Sequence, residues 1–225
     1  MWRRSSSRSF ELYATLAIQN ATSSIIKNVV LPNLKFLRDE CGIPEERVYL
    51  VLSKNPGLAI QKPISLRALV ARAEELGIPR QSSKLIWTLY VLRMVSKERY
   101  EAKVKLMKSL GWSDSEFVSA IQRSATFLGF SQEALLRKMN FWVKEVGCKP
   151  SYIASRPELL TYSLEKRLIP RFHVMEMLKS KGLRNVQQQP SSFFSLSHAK
   201  FRDKFVLCYK DEVPELLDIL GVVNE

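Results

Sequence analysis

The chain has 225 residues, of which 46% are hydrophobic, so it is long enough to bury a substantial core. Lysine and arginine number 35 against 22 acidic residues, and the net charge of +13 favours a polyanionic partner such as nucleic acid. The longest nearly apolar run, at residues 85–92, is far shorter than the roughly 18 residues that a membrane-spanning helix needs, so we expect no integral membrane protein.

The first ten residues, MWRRSSSRSF, contain three arginines, four serines and no acid. This composition is typical of a mitochondrial or chloroplast transit peptide. We therefore expect residues 1–24 to be a short targeting segment and residues 25–225 to form one helical domain. An ordinary basic N-terminus is the alternative, since Glu11 interrupts the pattern.

Five of the eight glycines recur every 34 to 36 residues: Gly42, Gly77, Gly111, Gly147 and Gly182. Each follows a run whose apolar residues return at steps of three and four, as residues 66–76 do before Gly77. That spacing is the period of a helix, and a glycine directly after it suits the left-handed position at a helix end. The sequence therefore predicts long helices that each end in a glycine turn.

A second, shorter helix is expected after each glycine. Prolines that follow a glycine by two or three residues suit the first turn of that helix: Pro44, Pro79 and Pro150. Other prolines mark where the second helices end: Pro56, Pro157 and Pro190. After Gly111, Ser113 and Glu116 have the spacing of a capping box, in which each side chain bonds the other residue's backbone N–H.

These features together predict an all-α fold, an α-solenoid of helix-turn-helix repeats of about 35 residues. Alternation of period two is too short anywhere in the chain to indicate a β-sheet. Stacked units of this kind present a long curved face, and that face is the expected place for a binding site.

Patterns for catalysis and metal binding are missing from the sequence. The two histidines, His173 and His198, have no ligand spacing, and no glycine-rich phosphate loop or nucleophile motif occurs. We therefore expect no enzyme, no cofactor and no metal. The three cysteines show no pairing pattern and are expected to be small buried residues: Cys41, Cys148 and Cys208.

The whole net charge comes from two stretches, since residues 80–110 carry +6 and residues 163–210 carry +7. Lysines and arginines along one solenoid face would contact successive phosphates, which positions a nucleic acid without reading its bases. From these stretches and the repeat between them, we predict ten nucleic-acid-binding residues: Arg93, Lys97, Arg99, Lys103, Arg137, Lys138, Lys166, Arg167, Arg171 and Lys204. A solvated surface position is the alternative for each.

Three passages resemble the mitochondrial transcription termination factor family, mTERF, in its expanded plant branch. They are LPNLKFLRDECGIPEERVYLVLSKNPGL at 31–58, SRPELLTYSLEKRLIPRFHVMEMLKSKGL at 155–183 and FRDKFVLCYKDEVPELLDIL at 201–220. The resemblance implies units of two α-helices and a short 3₁₀ turn, with a concave basic face that binds double-stranded DNA or RNA in mitochondria or chloroplasts. It also implies a regulator and not an enzyme.

We therefore expect a monomeric organellar protein that binds double-stranded DNA and regulates transcription termination or initiation. An RNA-binding factor for splicing or ribosomal RNA maturation is one alternative. A helical-repeat scaffold that binds proteins and no nucleic acid is another, because the repeat length also fits pentatricopeptide and tetratricopeptide arrays. Neither of those arrays' repeated sequence patterns is present.

Overall fold

The computed structural model describes residues 23–54, 56–183 and 191–219. All regular structure in these ranges is helical and none is strand, which confirms the all-α prediction. Within the same ranges, each helix is too short or too polar to cross a membrane. The predicted targeting segment lies outside the described residues except for its last two positions, and Pro190 also lies outside them.

The described helices come in pairs, and a repeat glycine lies between the two helices of each of the first five pairs. The first three pairs are α1 (Ser23–Ile25, Ile26–Val30, Leu31–Lys35 and Phe36–Glu40) with α2 (Glu45–Lys54), α3 (Pro63–Glu75) with α4 (Leu85–Met94), and α5 (Lys97–Ser109) with α6 (Asp114–Ser124). The next three are α7 (Gln132–Asn140 and Phe141–Glu145) with α8 (Pro150–Ser155), α9 (Leu164–Leu168 and Ile169–Ser180) with α10 (Ser191–Phe194), and α11 (His198–Phe205) with α12 (Leu216–Ile219).

Short 3₁₀ helices complete several units, as the family resemblance implies: Pro56–Leu58, Ala125–Gly129, Pro157–Thr161 and Leu207–Tyr209. The helix Ala125–Gly129 forms although its sequence has no proline. We call the segment between a second helix and the next long helix the closing turn of its unit. These turns carry the chain back to the start of the next long helix.

The predicted glycine turns are confirmed, because all five repeat glycines have a positive φ, between 63° and 95°. At the end of α5, the N–H of Trp112 donates to the carbonyl of Met107 and the N–H of Gly111 donates to that of Lys108, both at 3.0 Å. This is the Schellman arrangement, which needs a left-handed residue where Gly111 lies. A side chain there would also meet the ring of Pro150 at about 3.1 Å.

The second helices begin as predicted in three places and differently in one. Pro44 directly precedes α2, Pro150 is the first residue of α8, and Ser113 with Glu116 forms the capping box of α6. The prediction for Pro79 is wrong, because α4 begins only at residue 85. Two successive turns intervene, in which Ser82 N–H donates to the Pro79 carbonyl and Leu85 N–H to the Ser82 carbonyl.

The units stack so that like elements meet. Long helix α1 packs on α3 and α5 packs on α7, while second helix α2 packs on α4 and α6 packs on α8. The 3₁₀ helices Ala125–Gly129 and Pro157–Thr161 also contact each other. One continuous apolar core runs between these rows from Phe36 to Leu217, as expected for a solenoid whose neighbouring units share their buried faces.

The cysteine prediction holds for two residues and is wrong for the third. Cys41 and Cys148 are buried, and burial raises the pKa of each thiol to about 11, so both are neutral at physiological pH. Cys208 is exposed. It lies in the 3₁₀ helix Leu207–Tyr209 near the end of the stack, where none of the three residues is buried.

Candidate nucleic-acid interface

Four long helices begin in the same way, with a serine whose hydroxyl oxygen accepts the backbone N–H of the third residue after it. The distances are 3.1 to 3.3 Å for these caps: Ser96, Ser131, Ser163 and Ser197. Neighbouring long helices also touch along the stack. Helix α5 packs on α7, Arg137 of α7 forms an ion pair with Glu165 of α9, and Arg171 of α9 lies over the Phe201 ring of α11. The four starts therefore follow one another along one edge, which we call the junction edge.

Exposed cations occupy the first turn of α5, α9 and α11, whereas the first turn of α7 begins with Gln132 and Glu133. Three of them lie at the third helical position: Arg99 in α5, Lys166 in α9 and Lys200 in α11. A capping box would place Glu or Gln there, as α6 does with Glu116. Each cation near a helix N-terminus opposes the helix dipole and costs about 0.3–1 kcal/mol.

None of these three cations, nor Lys97 in the first turn of α5, forms an ion pair with a residue that the structure describes. Many other exposed cations are paired, as Arg67 is with Glu40 at 2.9 Å and Arg80 with Glu74 at 2.8 Å. The junction edge therefore presents positive charge that its own helices disfavour and that the described chain leaves uncompensated.

Three further predicted residues are exposed, with different surroundings. Arg93 lies at the end of α4, where its guanidinium packs over Gly57. Lys204 in α11 lies 5.6 Å from the ring of Phe205. Arg137 donates to Glu165 at 2.6 Å, so an acid already neutralises its charge.

Arg171 is buried, although it was predicted to bind phosphate. Only 2% of it is exposed, and its Nη1 lies 2.8 to 3.0 Å from the carbonyl oxygens of Phe193, Phe194 and Leu196. Its guanidinium also lies 4.4 Å from the centre of the Phe201 ring. Burial and the charge of Arg167 lower its pKa to about 10, which leaves it charged at neutral pH.

Arg167 and Lys138 hold closing turns in a similar way. Arg167 donates to the carbonyls of Phe194 and Leu196 at 3.1 and 2.6 Å. Lys138 is 7% exposed, and its ammonium donates to the Leu160 carbonyl at 2.7 Å. These carbonyls lie at the ends of short helices, where intrahelical partners are missing.

The first unit uses an uncharged side chain for the same purpose. Asn33 is 1% exposed and donates to the carbonyls of Ala59 and Gln61 at 2.7 and 2.8 Å. A donor on the inward face of a long helix thus satisfies the closing turn of its own unit. We name Asn33, Lys138 and Arg171 the closing anchors. Lys138, Arg167 and Arg171 were predicted to bind phosphate, whereas in the structure all three donate to backbone carbonyls of the chain itself.

Comparison with known protein families matches residues 26–202 to mTERF. The chain belongs to the mTERF family. The match spans most of the chain and includes the serine caps at the start of α5, α7, α9 and α11. Members of this family are nucleic-acid-binding factors that regulate organellar gene expression, and they are not enzymes. A comparison with curated proteins gave no match.

One basic residue of the junction edge in this mTERF chain was missed from the sequence. Lys200 occupies the third position of α11 after the cap Ser197. The signal that identifies it is the spacing from serine to a cation three residues later, which Arg99 and Lys166 share. Local charge density, from which the ten predicted residues were chosen, does not distinguish exposed cations from buried ones.

Base stacking by aromatic side chains is restricted by burial in this mTERF chain. Trp112, Phe141 and Trp142 are all less than 10% exposed and belong to the core. Trp87 is 44% exposed and lies in α4. Among the described residues, no group of His, Cys, Asp or Glu is arranged to hold a metal ion.

Proposed function

We propose that this mTERF protein binds double-stranded DNA along the junction edge, as a monomer in a mitochondrion or chloroplast, and thereby regulates transcription termination or initiation. The observation that carries the proposal is the row of exposed cations in the first turns of α5, α9 and α11. Their positions oppose the helix dipole, so helix stability does not account for them.

A phosphate at this edge has two sources of attraction. The free N–H groups of a helix N-terminus and the dipole favour an anion, and a lysine or arginine in the same turn adds its full charge. The proposed contact residues are Lys200 and those of the ten predicted residues that are exposed and have no ion pair in the described chain: Arg93, Lys97, Arg99, Lys166 and Lys204.

Contacts of this kind favour a duplex over a single strand. Binding of single strands depends on aromatic rings that stack on unpaired bases, and most of the tryptophan and phenylalanine rings that the structure describes are in the core. A duplex offers phosphates at regular intervals to the cations at the starts of α5, α9 and α11. Such contacts set position and orientation, and they carry no base sequence information themselves.

The salt dependence of binding tests the proposal. If about five phosphates are neutralised, the logarithm of the affinity for duplex DNA falls against the logarithm of salt concentration with a slope near −4.5, at roughly −0.9 per phosphate. Fluorescence anisotropy with a labelled duplex measures this slope. A slope near zero, or no binding at low salt, would contradict the proposal.

A matched pair of double variants locates the interface. Arg99→Gln with Lys166→Gln removes two cations at helix N-termini, and we expect the slope to flatten by about 2. Lys144→Gln with Lys181→Gln removes two exposed cations near the C-terminal ends of α7 and α9, and we expect little change. If the two double variants flatten the slope equally, the DNA is attracted to the basic protein as a whole and not to the junction edge.

The alternatives are outcomes of the same assay. If structured RNA binds at least as tightly as duplex DNA, and if Arg99→Gln with Lys166→Gln weakens its binding equally, the ligand is RNA and not DNA. If the protein binds neither DNA nor RNA more tightly than an unrelated polyanion, the result favours the protein-binding scaffold.

A further inference from the structure

A pocket of about 430 Å³ opens between the start of α5 and the start of α7. One wall comes from the first two turns of α5 and the residue before its cap. The other comes from the end of the 3₁₀ helix Ala125–Gly129 and the start of α7. Both walls contribute residues to the pocket lining, among them Val95, Arg99, Lys103, Leu128, Ser131 and Gln132.

Lys103 is a buried cation that lacks a partner in the described chain. It is 6% exposed, and its ammonium makes no hydrogen bond or ion pair with any residue that the structure describes. Burial and the positive charge of Arg99 lower its pKa. An unpaired buried charge is costly, so its presence beside an open cavity calls for an explanation.

The equivalent lysine of the next unit shows what is missing around Lys103. Lys103 and Lys138 each lie seven residues after the serine cap of their helix. Lys138 has the Leu160 carbonyl at 2.7 Å and the ring of Phe130, the residue before its cap, at 4.1 Å. The residue before the cap of α5 is Val95, which has no ring, and the pocket occupies the space beside it.

The groups around the pocket suit an anion. Lys103 and Arg99 supply two positive charges, and no carboxylate contributes to the pKa shift of Lys103. On the opposite wall, α7 begins with backbone N–H groups that have no intrahelical acceptor, at the positive end of its dipole. Two cations facing a helix N-terminus match the charge and the several acceptor oxygens of a phosphate group.

We propose that this pocket binds a phosphate group, with Lys103 and Arg99 as its cationic ligands and the first N–H groups of α7 as donors. The group is either a phosphodiester of a bound nucleic acid or a free phosphate. The claim that the pocket holds a backbone phosphate of nucleic acid rests on the proposed function. The claim that the pocket binds phosphate at all does not.

Titration of the full chain with inorganic phosphate tests the pocket directly. At constant ionic strength, maintained with chloride, the backbone amide signals of Ser131, Gln132 and Glu133 in a ¹H–¹⁵N spectrum should shift saturably. Lys103→Met should weaken this binding at least about tenfold, the loss expected for a charge-assisted hydrogen bond. Lys105→Met, an exposed lysine two residues further along α5, should leave it unchanged.

Thermal unfolding followed by circular dichroism checks that each variant is folded. If Lys103→Met does not fold, Arg99→Gln provides the second test, because it removes the other cation from an exposed position. Phosphate shifts that do not saturate, or that are equal in Lys103→Met and Lys105→Met, would overturn the proposal.

The duplex assay then separates the two sources of the phosphate. If a backbone phosphate occupies the pocket, Lys103→Met flattens the salt slope for duplex DNA by about 1 and inorganic phosphate competes with the duplex. If duplex binding is unaffected while phosphate binding is lost, the pocket takes free phosphate. Saturable phosphate binding by a chain that binds no nucleic acid would refute the proposed function and still support the pocket.

Discussion

The third unit (α5, α6 and Ala125–Gly129) and the fourth unit (α7, α8 and Pro157–Thr161) are built from the same parts in the same order. Each has a serine cap, a lysine seven residues later, a glycine turn and a 3₁₀ helix. In the fourth unit the lysine binds a backbone carbonyl and a ring, whereas in the third it borders an open pocket. One position of the repeat therefore serves a structural purpose in the fourth unit and is free for a ligand in the third.

The difference depends on a few neighbouring side chains. Phe130 covers the ammonium of Lys138, and Val95 is too small to cover that of Lys103. Charge and spacing alone do not distinguish these two lysines, whereas the contacts of their side chains distinguish them.

The largest expected effect comes from the closing anchor of the fifth unit. Arg171→Met should destabilise the protein by about 2–4 kcal/mol, because it removes three charge-assisted hydrogen bonds to the carbonyls of Phe193, Phe194 and Leu196, the last two of which keep Arg167 as a donor. Urea unfolding at neutral pH measures the loss. Arg202→Met, which removes only an exposed ion pair with Asp203, should cost less than about 1 kcal/mol. Equal losses would mean that Arg171 is not an anchor.

The two lysines give the most direct test of the comparison. Lys138→Met should cost about 1–3 kcal/mol, since the Leu160 carbonyl loses a charged donor. Lys103→Met should be neutral or slightly stabilising, because it removes a buried charge that has no partner in the described chain. Free energies of unfolding in phosphate-free buffer decide between these outcomes. A similar large loss in both variants would show that Lys103 is an anchor too.

The smallest expected effect concerns the glycine turns of the same two units. Gly147→Ala should cost about 1 kcal/mol, because its φ is +76° and no neighbouring atom lies within 4 Å of an added Cβ. Gly111→Ala should cost more, about 2 kcal/mol, since its φ is +95° and the Pro150 ring lies about 3.1 Å from the added Cβ. Thermal unfolding of both variants shows the order, and the reverse order would contradict the packing described at Gly111.

Much of the fold is predictable from the sequence because its signals are local. A glycine after an amphipathic run, as at Gly77 and Gly147, indicates a helix end, since the required left-handed backbone is a property of that residue. The capping box of Ser113 and Glu116 is equally local. Pro79 shows the limit, because a proline suits a turn as well as a first helical position.

The candidate interface was only partly predictable. The basic stretches were identified correctly as places of high charge, and Lys97, Arg99 and Lys166 do lie exposed on the junction edge. Lys200 was omitted, and Arg167 and Arg171 were included although they bind the backbone of the protein itself. Whether any of these residues contacts nucleic acid stays a prediction.

The sequence by itself determined the repeat, the helical content and the amount of positive charge, because helix periodicity, glycine turns and composition depend on residues close together in the chain. Only the tertiary structure decided where each charge lies. Arg171 donates to the Phe193 carbonyl, 22 residues away in the chain. The first segment of α9, Leu164–Leu168, is π-helical and therefore shifts the register of the residues after it. As a result Arg171, eight residues after the cap of α9, occupies the position that Lys138 occupies seven residues after the cap of α7. Packing between segments that are distant in the chain determines which group each cation contacts, so local residue spacing cannot predict these contacts.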